Sequence, residues 1–259
     1  MADEITYETT GHVAIITMNR PEVHNAVNPA LSEAMREAFI QFRDDREIRA
    51  AVITGAGERA FTAGADLKNM ATRSSGDYSE GYWWPPPNRG YVDVYKPVVA
   101  AVNGYCYAEG LNLLCALTDI RIASDTATFC YAEVIRGFSG TGHAIELLPR
   151  QVPYAKAMEW LLTGKVFKAQ EAFEAGLVNE VVPIDKVKER ALEVAQQIAA
   201  LAPIAVRAIK EAVVRGISMD LPNAIRFANT IGVLTRYTED AREGPRAFAE
   251  KRPAVYTGR

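Results

Sequence analysis

Residues 98–112, VVAAVNGYCYAEGLN, run from an apolar strand through Asn-Gly into a small-residue turn and then open a helix. A strand-to-helix turn of this kind aims free backbone N–H groups at one point. Such groups stabilise negative charge, either a bound anion or an oxyanion developing on a reacting carbonyl. A related unit lies upstream. The apolar strand AVIT at 51–54, with Ala60-Phe61 read as its continuation after the turn GAGER, leads into Thr62-Ala63-Gly64-Ala65-Asp66-Leu67-Lys68, where small residues precede a helix signal. The chain thus carries two strand-to-turn-to-helix units in succession.

Ile5, Tyr7 and Thr9, then Val13, Ile15 and Thr17, alternate around Gly11-His12 and predict a hairpin. After the polar loop RPEVHN, Asn28-Pro29 supplies an N-cap and a first-turn proline, and Leu31, Met35, Phe39 and Phe42 mark a helical face ending near Asp45. Strands are expected at 119–123 and 127–131, followed by Glu133 and the glycine-containing loop RGFSGTG. Amphipathic helices are expected at 143–148, 154–162 and 169–175, with Gly176 as a C-cap, then a strand at 178–182 and helical pattern from 185 to 251. The repeat of strand, strand, helix and the helical annex divide the chain into a core at 1–198 and a C-terminal helical region at 199–259.

The chain has 259 residues, 49% hydrophobic and 24% charged, with a formal net charge of −3 and no basic block, so one sizeable core is affordable and nothing in the balance recruits nucleic acid or an anionic membrane. The opening MADEITYETTGH has no basic segment followed by an apolar one, and the most apolar run, 98–123, is broken by Asn103, Glu109 and Asp119. A cytoplasmic protein is expected. Cys106, Cys115 and Cys130 form no CxxC pair and read as reduced core thiols; histidines at 12, 24 and 143 have no ligand spacing, so no metal is expected. Residues 71–90 carry Tyr82, Trp83, Trp84 and three successive prolines, and aromatics at that density favour a lid or substrate wall over a disordered insert.

Three constellations invite a chemical reading. TGAGERA fits G-x-G-x-x-A after a strand, but neither the immediate helix nor the acid about 20 residues on that a dinucleotide site needs is present. Ser139 and His143 sit in a glycine-rich loop that lacks the final glycine and the feeding strand of a nucleophile elbow. Glu133 follows the strand ATFCY and precedes Val134-Ile135, a setting that disfavours ionisation and suits a proton carrier; the alternative is a structural salt bridge with Arg136 or Arg121.

Several blocks in a fixed order carry a resemblance over essentially the whole chain: AIITMNRPEVHNAV at 14–27, AFTAGADLKNM at 60–70, PVVAAVNGYCYAEGLNL at 97–113, TDIRIAS at 118–124, ATFCYAEV at 127–134, LLTGKVFKAQEAFEAGLVNEVVP at 161–183 and TEDAREGPRAFAEKR at 238–252. The chain resembles the crotonase, or enoyl-CoA hydratase/isomerase, superfamily. The resemblance implies an α/β spiral of strand-strand-helix turns with a C-terminal helical region that packs trimers, often paired into hexamers. It implies no permanently bound cofactor, coenzyme A being part of a thioester substrate.

It also implies roles for residues. One half of an oxyanion hole is the N–H of Ala65; the other belongs to Glu109, the middle of Ala108-Glu109-Gly110, where the family carries three glycines. Coenzyme A contacts fall on the loop 20–25, with Val23 and His24, and on Ala63, Asp66, Leu67 and Lys68, with Lys251 or Arg252 as further basic candidates; Gly110, Trp83 and Trp84 complete the expected acyl site. Of the family's two usual glutamates the second matches Glu133. The first falls on Asn112, or on Leu113 counted back from Asp119, and neither is an acid. Asn112 can position a group but takes no proton, while the direction of the Glu109 side chain is open at this level. Hydration, dehydration and double-bond migration all remain, beside a thioester-binding scaffold with little turnover.

Overall fold

The computed structural model describes residues 4–67, 94–140 and 143–259. The chain begins with the hairpin β1 (Ile5–Thr10) and β2 (Val13–Met18), antiparallel with Ile5 opposite Met18. Helix α1 (Pro29–Asp44) starts as its sequence dictates: the Asn28 side chain accepts from the Leu31 amide, Pro29 needs no donor there, and Leu31, Met35, Phe39 and Phe42 are buried.

Each later turn of the chain then gives one strand to each of two sheets. The strands β3 (Ala50–Gly55), β5 (Val98–Val102), β7 (Ile120–Ser124) and β10 (Glu180–Val182) extend the hairpin into a six-stranded sheet ordered β1-β2-β3-β5-β7-β10, parallel from β2 onward. The short strands β4 (Ala60–Thr62), β6 (Tyr105–Tyr107), β8 (Thr128–Cys130) and β9 (Phe167–Lys168) form the second sheet. Helix α2 (Glu109–Leu117) closes the turn that contains β5 and β6.

Two sequence expectations change here. Ala60-Phe61 does not continue β3 but starts the second sheet, beside Tyr105. The stretch 98–112 holds a second strand, 105–107, between its first strand and its helix. Both follow from Asn103, whose amide group donates to the Gly55 and Gly57 carbonyls (2.9 and 2.6 Å) and whose Oδ1 accepts from the Gly55 N–H (3.3 Å). That side chain ties the ends of β3 and β5 together and turns both chains toward the other sheet. Gly104 is needed beside it, since a Cβ there would fall 2.2 Å from the Arg59 carbonyl oxygen.

The parallel sheet is buried on both faces, which is why its strands read as unbroken apolar runs. One face, with Ile16, Ile53, Ala100 and Val102, belongs to the main core with α1 and α2. The other, with Val13, Val52, Val99 and Ile122, is covered by a helix at Val187–Ala199 that buries Val187, Ala191, Ala195 and Ala199 at i, i+4 spacing. Phe167 stacks on Trp160 (centroids 3.8 Å) and on Phe129 (5.4 Å), locking the second sheet to the helix Tyr154–Thr163. The three cysteines are free thiols inside this core.

From Pro203 the chain is helical: Pro203–Gly216, Leu221–Thr235 and Glu239–Ala249. The last of these straps down the C-terminal tail. Asp240 accepts from the Thr257 and Gly258 amides (2.7 and 2.9 Å), and Glu243 accepts from the Val255 amide (3.1 Å) and from Arg252. Arg252 is thereby held in an ion pair with Glu243.

Candidate active site

The loop 20–27 builds one wall. His24 and Asn25 both adopt left-handed backbone (φ 55° each), which folds the loop tightly and buries Asn25 completely. From there the Asn25 side chain donates to the Ala60 and Ala56 carbonyls (2.8 and 3.1 Å), while the Asn25 backbone carbonyl accepts from Thr62 Oγ1 (2.7 Å). The turn that follows β4 is held residue by residue: Ala63 N–H donates to the His24 carbonyl (2.9 Å), Gly64 N–H to Thr62 Oγ1 (3.1 Å), Val27 N–H to the Gly64 carbonyl (2.8 Å) and Asp66 N–H to the Val27 carbonyl (2.9 Å). The amide of Ala65 is passed over by this lattice and donates to nothing among the described residues.

The second wall meets the first at Gly64, whose φ is +93°. A Cβ on Gly64 would stand 2.7 Å from Ala108 Cβ, 2.8 Å from the Tyr107 carbonyl oxygen and 3.3 Å from the Glu109 amide nitrogen. The absence of a side chain at 64 is what lets the two turns touch. Glu109 is the first residue of α2, so its amide is one of the N–H groups that a helix start leaves without an internal partner, and among the described residues it too donates to nothing. Gly110 allows the same helix start to lie on β4, because a Cβ there would sit 2.9 Å from Thr62 Cγ2. Two free amides, Ala65 and Glu109, are therefore fixed in adjoining turns.

The acids lie along the first turn of α2. Asn112, one helical turn after Glu109, donates from one amide nitrogen to Glu109 Oε2 (3.1 Å) and to Glu133 Oε1 (3.2 Å). Its Oδ1 accepts from the Ala144 amide at the start of the helix Ala144–Gln151 (3.0 Å), which orients the NH2 toward the two carboxyls. Glu133 is buried, and its Oε2 has no partner among the described residues. Burial pushes its carboxyl up to about 7 against the hydrogen bond from Asn112. Burial likewise pushes the Glu109 carboxyl up to about 7, and the charge of Glu133 adds to the rise.

The salt-bridge alternative for Glu133 does not hold for Arg121. That guanidinium is buried against Thr118, the Leu177 carbonyl and Gln151 (3.0, 3.1 and 2.8 Å). The loop after Glu133 packs onto it instead: Tyr131 donates its hydroxyl to the Ser139 carbonyl, and a Cβ on Gly140 would come within 3.0 Å of Glu133 Cγ. The glycine-rich loop RGFSGTG gave no local sign that Gly140, at φ +74°, makes room for the acid.

Among the residues expected at coenzyme A, Val23, His24, Ala63 and Asp66 are part-buried around the first wall and Leu67 is exposed. Asp66 pairs with Arg20 (3.4 Å), which itself donates to the Ala26 carbonyl. Lys68, Trp83 and Trp84 lie outside the described residues, as does the lid reading of 71–90.

The family model described as enoyl-CoA hydratase/isomerase matches residues 8–259. The chain is 37% identical to the (E)-benzylidenesuccinyl-CoA hydratase of Thauera aromatica over 98% of this chain and 99% of that one. It is 38% identical to the carnitinyl-CoA dehydratase of Salmonella typhi over the full length of both. Among solved structures, an enoyl-CoA hydratase from Bacillus anthracis superposes with a TM-score of 0.93 at 35% identity, covering 99% of this chain and 100% of the other.

Proposed function

The chain belongs to the enoyl-CoA hydratase/isomerase family, and from that premise we propose that it binds an unsaturated acyl-CoA, seats the thioester oxygen on the Ala65 and Glu109 amides, and moves a proton at the acyl chain with Glu133. The observation that carries this reading is the pair of free amides joined at Gly64, with a buried carboxyl next to the same helix start. Forming an enolate beside a thioester puts negative charge on the carbonyl oxygen. Two fixed donors meet that charge without reorganising, and one such donor is worth roughly 3–4 kcal/mol.

Glu133 suits the proton. A carboxyl held near 7 by burial exchanges its proton readily at neutral pH, and its free Oε2 is the atom that can face substrate. The acyl chain is then bounded by the loop 137–140 and by α2. The reaction is hydration, dehydration or double-bond migration, so the enzyme is a lyase or an isomerase. The names of the two relatives, a hydratase and a dehydratase, favour the first pair. The substrate brings its own coenzyme A, and no resident cofactor enters the scheme.

We take the assembly to be a homotrimer or a dimer of trimers. The helices Pro203–Gly216 and Leu221–Thr235 pack on one another and leave Ile209, Val213, Ile225 and Leu234 exposed, a face that suits a second copy. The test of function is a panel of enoyl-CoAs followed by loss of conjugated absorbance and by product mass. Turnover that Glu133→Gln abolishes supports the enzyme; thioester binding with no turnover across the panel would make the protein a scaffold.

A further inference from the structure

Asn112 stands where the family's first glutamate is expected, yet the site does not lack a second carboxyl. Glu109 turns its side chain along the helix toward Asn112, and a single amide nitrogen bridges Glu109 Oε2 and Glu133 Oε1 at 3.1 and 3.2 Å. The Ala144 amide pins the other end of Asn112, so the bridge has one orientation. Two carboxylates this close, one of them buried, repel when both are ionised, and a neutral amide offers them only two N–H bonds in return. The arrangement is satisfied when the pair holds one proton.

We propose that the carboxyl of Glu109, in addition to its amide, is a catalytic group, and that with Glu133 it forms a two-carboxylate site sharing one proton that adds water to the β-carbon of an unsaturated acyl thioester, or removes it. This rests on the acyl-CoA enolate reading above and narrows it to water chemistry. In the addition, the Glu109 carboxylate takes a proton from water as the oxygen–β-carbon bond forms, and the double-bond pair moves through the α-carbon to the thioester oxygen at the Ala65 and Glu109 amides. The enolate then collapses, and the α-carbon takes the proton of Glu133. Water has been divided into hydroxyl on the β-carbon and hydrogen on the α-carbon, and the pair still holds one proton, now on Glu109. Transfer back to Glu133 resets it. Dehydration is the reverse. Asn112 is a positioning residue that keeps both carboxyls in register.

Glu109→Gln separates the two functions of this residue, because the backbone donor stays and only the base is lost. The assays are hydration of crotonyl-CoA and of an aryl-substituted enoyl-CoA, and exchange of the α-proton of butyryl-CoA in deuterium oxide, each on the full-length protein. Glu109→Gln is expected to lower hydration by about 10²–10⁴-fold, the range of a general base, and to lower exchange at least tenfold less. Glu133→Gln lowers both. Asn112→Ala lowers kcat for hydration with KM unchanged, since the amide touches the carboxyls and not the coenzyme A. Hydration by Glu109→Gln at the wild-type rate overturns the proposal, as does a wild type that exchanges the α-proton but hydrates neither thioester. Should Glu109→Gln not fold, Glu109→Asp, shorter by one methylene, is expected to show the same selective loss of hydration, and equal loss of both activities counts against the proposal. A wild type with no exchange above that of Glu133→Gln would instead defeat the enolate reading itself.

Discussion

Gly64 and Glu109 are in contact across two turns separated by more than forty residues of sequence, and a Cβ on Gly64 would lie 3.3 Å from the Glu109 amide nitrogen. The carbon would meet Ala108 and the Tyr107 carbonyl even sooner, at 2.7 and 2.8 Å, on a backbone with φ +93°. Gly64→Ala therefore forces the two amides apart. A drop in kcat of about 10²–10³-fold is expected, the loss of one oxyanion donor. Steady-state kinetics on an accepted enoyl-CoA check it, and a variant with wild-type kcat would remove Gly64 from the argument.

Ala108 occupies φ 49°, ψ −113°, a backbone that L side chains adopt at a cost of about 1–3 kcal/mol. Glycine takes it freely but brings extra freedom to the unfolded chain. Ala108→Gly is expected to raise stability by about 1 kcal/mol in urea unfolding, and an unchanged or lowered midpoint would count against the strain at this position.

Burial pushes the Glu133 carboxyl from its ordinary 4.5 up to about 7 in the fold. The folded state binds this proton more tightly, so its contribution to stability is full below about 4.5 and is lost as pH rises through about 7. Glu109 is shifted in the same direction and adds to the trend. Glu133→Gln cannot ionise. It is expected to be more stable than wild type at about pH 8, by up to about 3 kcal/mol, while losing activity. Unfolding midpoints across that window decide it; parallel curves for the two proteins would refute the burial argument.

Trp160 is fully buried, stacks on Phe167 at 3.8 Å and donates Nε1 to Glu171 (3.1 Å). Trp160→Ala leaves a cavity under the second sheet and takes one donor from Glu171, which keeps Lys156 and Lys165 (3.2 and 3.0 Å). A loss of about 3–5 kcal/mol is expected in denaturant unfolding. Trp160→Phe keeps the stack and is expected to recover most of it.

Ile225→Asp places a charge on the apolar face shared by the two C-terminal helices, with little effect inside one chain because Ile225 is half exposed. If that face joins copies, light scattering will show the assembly falling toward monomer. An unchanged mass would place the contact elsewhere.

Much of the fold was written locally. Asn28-Pro29 starts α1, the alternation at 5–17 makes the hairpin, and the apolar runs at 51–54 and from 98 read as strands, as they are. The family was legible because its blocks run in a fixed order, and the two free amides and the buried Glu133 lie inside those blocks. What sequence could not give is the direction of side chains and the partner sheet. Nothing local to 60–62 says that these residues leave the sheet of β3, since Asn103, over forty residues away, enforces it. Nothing at Glu109 says where its carboxyl points. Asn112 reads as a missing acid, whereas in the fold it is the amide that brings two acids together, and that meeting depends on Ala144 and Gly140 arriving from a different part of the chain. Sequence determines periodicity, caps and motif order because they depend on neighbours; carboxyl pairing and its raised proton affinity depend on burial and on contacts across turns, which only the folded chain decides.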